Sequence, residues 1–566
     1  MPTGSSQFLE ALAEAGVSYI FANFGSDHPG LIEAIAEARA KGNTIPTVVT
    51  SPSEFVAMSA ADGYARVTGR AQTVVVHVEC GTQSLAGAVH NAAKGRVPVL
   101  VFAGASPFTQ EGERTGTRNE FIQWIQDVHD QRGLVRGYMK YDAELKTGAN
   151  VKQMVHRALQ FAQSAPMGPV YLMGAREAME EEVKPVALDL SQWRPVSPAG
   201  LAGETTAAIV ADLASAKRPL IVTSYLGRNT AAVEELLKLC VSHGIGVLES
   251  VPSAMNFPPD NPLHQGIQWN QKQQNAALAE ADVVLVLDSD IPWIPLHNRP
   301  LPAARVHHID LDVLKEQMPL FYIPALTRSK ADCVTALAQL NAALARDEAL
   351  VAARSAHWAE GHAAYRAALR AREDKPAAGI TIAYLMAALR AHVDANTIVV
   401  NEGVTNYQPV FDHLGMIWPG SIFTSGAGSL GWYCGAALGM KLAAPEKTVI
   451  AVGGDGSYMF SQPATVHWMS RHAGAPFLTV VLNNRGWRAP RLSALSLHPD
   501  GYAAKANTLD TAFDPPPDYA GIAAAAGGAF ARTVESPGDV EAALADGMRA
   551  VKQEKRSAVL DVWLAG

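Results

Sequence analysis

The residues with the clearest capacity for chemistry lie between Thr448 and Trp487. Gly453-Gly454-Asp455-Gly456-Ser457 follows the apolar run Thr448–Val452, and Asn483-Asn484-Arg485-Gly486-Trp487 follows the apolar run Phe477–Leu482. Asp455 and Asn484 each offer a side-chain oxygen, and the carbonyl of Gly486 offers a third. Mg2+ takes few protein oxygens and fills its octahedron with water and substrate phosphates, so this set suits it. Gly454 and Gly456 let the backbone approach a phosphate, and the start of the next helix favours negative charge. Either cluster alone reads as an ordinary turn. Together, with Asn484 30 residues after Gly454, they form a far more specific pattern.

The elements that must position these residues follow from the apolar pattern. Each run is short and bounded by glycine or asparagine, which predicts two buried strands with a helix over about Phe460–His472 between them. Such a crossover makes the strands parallel and side by side. Both polar clusters then sit at strand C-terminal ends, where open α/β sheets bind ligands. The same alternation fills the rest of the chain. Residues 1–182 carry strand patterns at Tyr19–Phe24, Thr47–Thr50, Thr73–Val78, Val97–Ala103 and Pro169–Met173, with helical patterns at Ser6–Ala15, Leu31–Lys41 and Ser53–Thr68. A proline-bearing linker (183–200) leads to a second unit, 201–345, with strands at Pro219–Ser224, Gly246–Glu249, Val283–Leu287 and Val306–Ile309. A charge-rich helical segment joins it to a third unit, 377–566. The stretch after Trp487, through Pro515-Pro516-Pro517, reads as a long loop of the kind that forms lids. The fold class expected is α/β, with three doubly wound parallel-sheet domains.

Composition narrows the classes of function. The 566 residues are 48% hydrophobic and 18% charged, as in soluble globular proteins. The net charge is −8 with no basic block, which disfavours nucleic acid and anionic membranes as partners. Four scattered cysteines without a CxxC fit reduced, cytoplasmic thiols rather than disulfides or zinc. The N-terminal stretch lacks a signal-peptide pattern, and no run reaches about 18 apolar residues.

The GDGS and NN clusters at this spacing resemble the diphosphate–Mg2+ motif of the thiamine diphosphate-dependent enzymes. The likeness covers essentially the whole chain, whose three units match the family's pyrimidine-binding, central and diphosphate-binding domains, the outer two of like topology. The resemblance implies thiamine diphosphate and Mg2+ as cofactors, with Asp455, Asn484 and Gly486 at the metal and Gly456, Ser457 and Trp487 beside the diphosphate. Ser53-Glu54-Phe55 followed by Asp62-Gly63-Tyr64-Ala65-Arg66 resembles the family's glutamate helix. Glu54 is thereby expected to bond the pyrimidine nitrogen, so that the cofactor's own exocyclic nitrogen takes the C2 proton. Ser425–Trp432 matches the segment that bends the cofactor, with the Gly428 carbonyl accepting from the exocyclic amine and Leu430 wedged between the rings. Thr405 and Asn406 are placed for diphosphate oxygens.

Around Val76-His77-Val78-Glu79-Cys80-Gly81-Thr82 the sequence resembles benzoylformate decarboxylase, which implies a proton-transfer or carboxylate-orienting role for His77. The family's usual F-G-x-P-G is replaced by Phe24-Gly25-Ser26-Asp27-His28, making Asp27 and His28 additional polar candidates, His28 as a catalytic one. His297 roughly matches the position of a second histidine of that decarboxylase; Trp293 is the alternative pocket residue. Arg488 or Arg491 could pair with a substrate carboxylate. The expected activity is a 2-oxo acid decarboxylase or carboligase working through a C2 ylid and an enamine. An acetolactate synthase-type carboligase is the alternative, although the TSGPG-type loop of those synthases is missing. A non-catalytic binding protein on this fold is an alternative of another class. FAD is possible in the central unit, with no feature that requires it. The resemblance further implies a homodimer or homotetramer, with the active site at a subunit interface.

Overall fold

Eighteen strands form three six-stranded sheets in the computed structural model, which describes residues 1–565. The first sheet contains β1 (Tyr19–Ala22), β2 (Thr47–Thr50), β3 (Gln72–Val76), β4 (Val99–Ala105), β5 (Tyr141–Leu145) and β6 (Val170–Ala175). The second holds β7 (Pro219–Thr223), β8 (Gly246–Ser250), β9 (His264–Gln268), β10 (Val283–Leu287), β11 (Arg305–Asp310) and β12 (Thr327–Lys330). The third holds β13 (Thr397–Glu402), β14 (Ile422–Phe423), β15 (Thr448–Gly454), β16 (Leu478–Asn483), β17 (Phe530–Val534) and β18 (Ala558–Trp563). Neighbouring strands are parallel throughout all three sheets.

The order of the first sheet is β2-β1-β3-β4-β6-β5, and that of the third is β14-β13-β15-β16-β18-β17. Counted within each unit these orders are the same, so the two outer units share one topology, as expected. The middle sheet runs β12-β11-β10-β7-β8-β9, the dinucleotide-type order with its switch point between β7 and β10. Central strands such as β3, β10 and β16 are buried along their whole length, because helices cover both faces; this is why they read as unbroken apolar runs. The 23-residue helix Glu348–Arg370 links the second unit to the third.

Two local expectations are corrected. The helix after β15 begins at once with Asp455–Phe460, breaks at Gln462 (φ +53°), and restarts as Pro463–His472 with proline in its first turn. The stretch after Trp487 is partly helical, Arg488–Leu497 and Tyr502–Ala506, and neither helix has a buried residue. Among the described residues no helix is long and apolar enough to cross a membrane.

Candidate active site

β15 and β16 are adjacent, with Gly454 opposite Leu482, so Asp455 and the Asn483–Gly486 turn leave the sheet side by side. Asp455 is buried. Its Oδ1 accepts from Gly456 N and its Oδ2 from Gly486 N, both at 2.9 Å. Gly486 is needed there: its φ is +148°, and a Cβ would lie 2.1 Å from the Thr511 carbonyl oxygen. The two asparagines divide their work. Asn483 points inward, donating to Asp561 Oδ1 at 2.9 Å and accepting from Arg485 N at 3.0 Å, while Asn484 lines the cavity. Burial pushes the Asp561 carboxyl up to about 6 and also raises Asp455.

A cavity of about 220 Å³ opens at these strand ends, lined by Thr405, Leu430, Asp455, Gly456, Ser457, Asn484, Gly486, Trp487 and Arg488 among others. Two buried polar groups at this end of the sheet, Ser457 Oγ and Asn406 Nδ2, have no hydrogen-bond partner among the described residues. Buried donors rarely stay unpaired in a folded protein, and diphosphate oxygens are acceptors of the right kind. The donor set fits Mg2+ as well: one carboxylate, one amide oxygen and one carbonyl leave room for phosphate oxygens, and a cation would hold the raised Asp455 carboxyl ionised. The residues present therefore fit the diphosphate and its metal.

Leu430 borders the same cavity, and Gly428 is exposed in the loop before it. Glu402, at the end of β13, fixes this loop by accepting from Gly431 N at 2.6 Å and Tyr433 N at 2.9 Å; burial pushes its carboxyl up to about 7.

Glu54 lies elsewhere, in the first turn of the helix Glu54–Thr68, which Ser53 caps by accepting from Val56 N. It is half-buried, and its Oε1 accepts from Asn23 Nδ2 at 2.8 Å. His77 stands at the end of β3. Its Nδ1 is 2.5 Å from Asp27 Oδ1 and its Nε2 3.0 Å from Gln126 Oε1. The bond to Asp27 is the main reason the His77 pKa is raised, with Gln126 and Glu54 acting in the same direction. His28, expected to face the reaction centre, is buried with its ring edge-on to Phe24 and its Nδ1 3.0 Å from Asp27 Oδ1. The same Nδ1 accepts from Gly25 N at 3.1 Å.

The remaining sequence candidates are dispersed. Half-buried His297 sits in a loop of the second unit, and Trp293 lines a separate cavity of about 570 Å³ with Leu296 and Tyr322. Arg488 borders the diphosphate cavity, whereas exposed Arg491 bonds Asn507 at 3.2 Å. None of the residues lining the diphosphate cavity comes from the first unit.

Sequence reasoning assigned no work to Asp62 and Arg66 in the glutamate helix. Arg66 Nε donates to Asp62 Oδ1 at 2.6 Å, and its two terminal nitrogens donate to the carbonyls of Thr424 and Ser425. Asp62 Oδ1 also accepts from Trp432 Nε1 at 2.7 Å. The helix that carries Glu54 thus clamps the loop that carries Gly428 and Leu430. Gln126 was also missed, since a lone glutamine in an irregular segment gives no signal.

Comparison with known proteins identifies the domains. Residues 2–133, 206–326 and 403–562 match the N-terminal TPP binding domain, central domain and C-terminal TPP binding domain of the thiamine pyrophosphate enzymes. The chain is 26% identical over 490 residues to a probable 2-ketoarginine decarboxylase (AruI) of Pseudomonas aeruginosa, covering 85% of this chain and 82% of that one. It is 24% identical over 499 residues to the acetolactate synthase large subunit of Lactococcus lactis, covering 85% and 81%. The structure of the Rhodococcus jostii thiamine diphosphate-dependent 4-hydroxybenzoylformate decarboxylase superposes with a TM-score of 0.79 at 21% identity, covering 100% and 99% of the two chains. A shared fold at that identity leaves the substrate open, but the three matched domains and the paired cofactor motifs do not leave the family open: the chain belongs to the thiamine pyrophosphate enzymes that act on carbon–carbon bonds.

Proposed function

We propose that the protein is a Mg2+-dependent 2-oxo acid decarboxylase with carboligase capacity, assembled as a homodimer or homotetramer in the cytoplasm. The observation that supports it best is His77, an imidazole hydrogen-bonded at both ring nitrogens in the neighbourhood of Glu54. A 2-oxo acid needs its carboxylate oriented and, after carbon dioxide leaves, needs a proton; a cationic imidazole can do both. Bound thiamine diphosphate supplies the carbon nucleophile and the electron sink. Glu54 would bond the pyrimidine nitrogen, the Gly428 carbonyl would accept from the exocyclic amine and Leu430 would lie between the rings. Thr405, Asn406, Gly456, Ser457 and Trp487 would hold or flank the diphosphate, while Asp455, Asn484 and the Gly486 carbonyl would take the Mg2+. Glu54 and Asp455 must reach one cofactor, yet only the third unit lines the diphosphate cavity; a second copy supplying the pyrimidine side accounts for both.

Flavin has no place in this proposal. At the switch point of the second sheet, Asp288 is paired with Arg228 and Arg96, and Arg96 also bonds Asp290 and Asp310. The carboxylates of Asp288, Asp290 and Asp310 at this crevice disfavour a dinucleotide diphosphate. The purified protein is expected to be colourless.

The test is release of carbon dioxide from aliphatic, aromatic and guanidino-bearing 2-oxo acids by protein loaded with thiamine diphosphate and Mg2+. At least one acid is expected to react, with aldehyde or acyloin as co-product. No release from any of them, with the cofactor bound, rejects the proposal. Acetolactate synthase-type chemistry remains the second reading, favoured by the Lactococcus relative. Acyloin acid without free aldehyde would select it.

A further inference from the structure

Asp27 occupies a slot that the fold keeps open for it. A Cβ at Gly104 would lie 1.6 Å from Asp27 Oδ2, and one at Gly25 would lie 2.7 Å from Oδ1 and 2.0 Å from His77 Nδ1. The side chain is 3% exposed, and three elements converge on it. Val78 N donates to Oδ2 at 3.0 Å, His77 Nδ1 lies 2.5 Å from Oδ1, and His28 Nδ1 lies 3.0 Å from the same oxygen. Val78, the residue after His77, has φ +28°, which a β-branched side chain rarely adopts. The chain bears that strain where the strand must end with His77 against Asp27.

The partners fix the protonation of the ring. Asp27 Oδ1 accepts at Nδ1 and Gln126 Oε1 accepts at Nε2, with the Gln126 amide oriented by a bond from its Nε2 to Cys80 Sγ at 3.4 Å. A ring set between a carboxylate and an amide oxygen is favoured as a donor at both nitrogens, and its pKa is raised in the same sense. Burial alone would raise the Asp27 carboxyl, but the neighbouring His28 and His77 outweigh it and hold it well below the usual carboxylate range. Glu54 acts on the ring from its own helix, Cys80, bonded to Glu79, meets it through Gln126, and Tyr171 on β6 lies near Asp27. Tyr171 Oη is held by Thr82 and Gln131, and burial pushes it up to about 12.

We propose that Asp27 is the positioning residue of His77: it fixes the ring and keeps it doubly protonated, so that Nε2–H is presented to the substrate once Gln126 yields its place. The inference rests on the decarboxylase reading for what the proton does, though not for its existence. When Nε2 gives up its proton, the Nδ1–H bond to Asp27 leaves the neutral tautomer with its lone pair on Nε2, ready to be reprotonated by water.

Two readouts on the loaded enzyme test this. The first needs no turnover: carbethoxylation of His77 by diethyl pyrocarbonate, which attacks only the neutral ring, followed on the His77 peptide by mass spectrometry from pH 5.5 to 9. Asp27→Asn, of unchanged shape, is expected to move the midpoint down by about one pH unit, making modification about tenfold faster below it. The second is the pH profile of kcat/KM. Its basic limb is expected to move down by a similar interval in Asp27→Asn, with activity partly restored at low pH, and Asp27→Asn is expected to add nothing in a His77→Ala background. Superimposable modification profiles for Asp27→Asn and wild type overturn the proposal. If the wild type releases no carbon dioxide, the decarboxylase reading fails while the modification profile still decides the role of Asp27.

Discussion

At the residue scale, the proposed function rests on two carboxylates in different environments. Asp455 is buried and accepts from two backbone N–H groups beside an amide oxygen, an arrangement that calls for a cation. Asp455→Ala is expected to abolish Mg2+-dependent binding of thiamine diphosphate in calorimetry while leaving the far-ultraviolet circular dichroism unchanged; unaltered binding would remove the residue from the metal site. Glu54 is half-buried with a single amide partner, Asn23, and so has an oxygen to spare for a ligand. The placement of GDGS and NN at neighbouring strand ends, and of Glu54 in a first helical turn, was legible in advance, because these are local patterns of residue type and spacing. Histidine 28 was not. Its exposure depends on how the loop after β1 folds back, and that loop turns the ring toward Phe24 and Phe102 and only its Nδ1 toward Asp27. Asn483 differs from Asn484 for a similar reason: the buried Asp561, 78 residues away, decides which of the pair turns inward.

At the scale of elements, the decisive contact is between the helices Glu54–Thr68 and Trp432–Ala443. Small residues let them touch: a Cβ at Gly439 would lie 1.8 Å from the Ala60 carbonyl, and one at Gly63 would lie 2.2 Å from that of Ala436. Gly439→Val is therefore expected to force the pair apart at a cost of about 1–3 kcal/mol, lowering the thermal midpoint. An unchanged midpoint would show that the helices can separate freely. Arg66→Met should loosen the Thr424–Ser425 carbonyls and weaken cofactor binding more than it lowers stability, which calorimetry and thermal unfolding together distinguish. Sequence patterns found most of the buried strands but passed over β5, β9, β12, β14 and β17. β5, β12 and β17 are half-exposed edge strands rich in polar or charged residues, as in Thr-Arg-Ser-Lys of β12, while β9 is interrupted by glycine and glutamine and β14 is two residues long, so none presents an apolar run of strand length. The helices after Trp487 were missed because neither buries a face, and a pattern of burial cannot mark an element that has none.

At the scale of the whole molecule, two units of identical strand order flank a third of dinucleotide type whose crevice carries the Arg96 cluster. In the proposed function the outer units carry complementary halves of one chemistry: activation and proton donation near Glu54 and His77, anchorage at Asp455. If a second copy completes each site, chains defective in different halves should rescue one another. Co-expressed Glu54→Gln and Asp455→Ala chains, each inactive alone, are expected to recover about a quarter of the intact sites by random pairing into dimers. Absence of rescue in mixed dimers verified by mass spectrometry would place both halves of a site on one chain.

The most direct test of the account is exchange of the cofactor's C2 proton for deuterium, followed by rapid quench and nuclear magnetic resonance on protein saturated with thiamine diphosphate and Mg2+. The account predicts fast exchange in the wild type and a loss of about 10²–10⁴-fold in Glu54→Gln, with the cofactor still bound through the Asp455 site. Exchange in Glu54→Gln at the wild-type rate would contradict it.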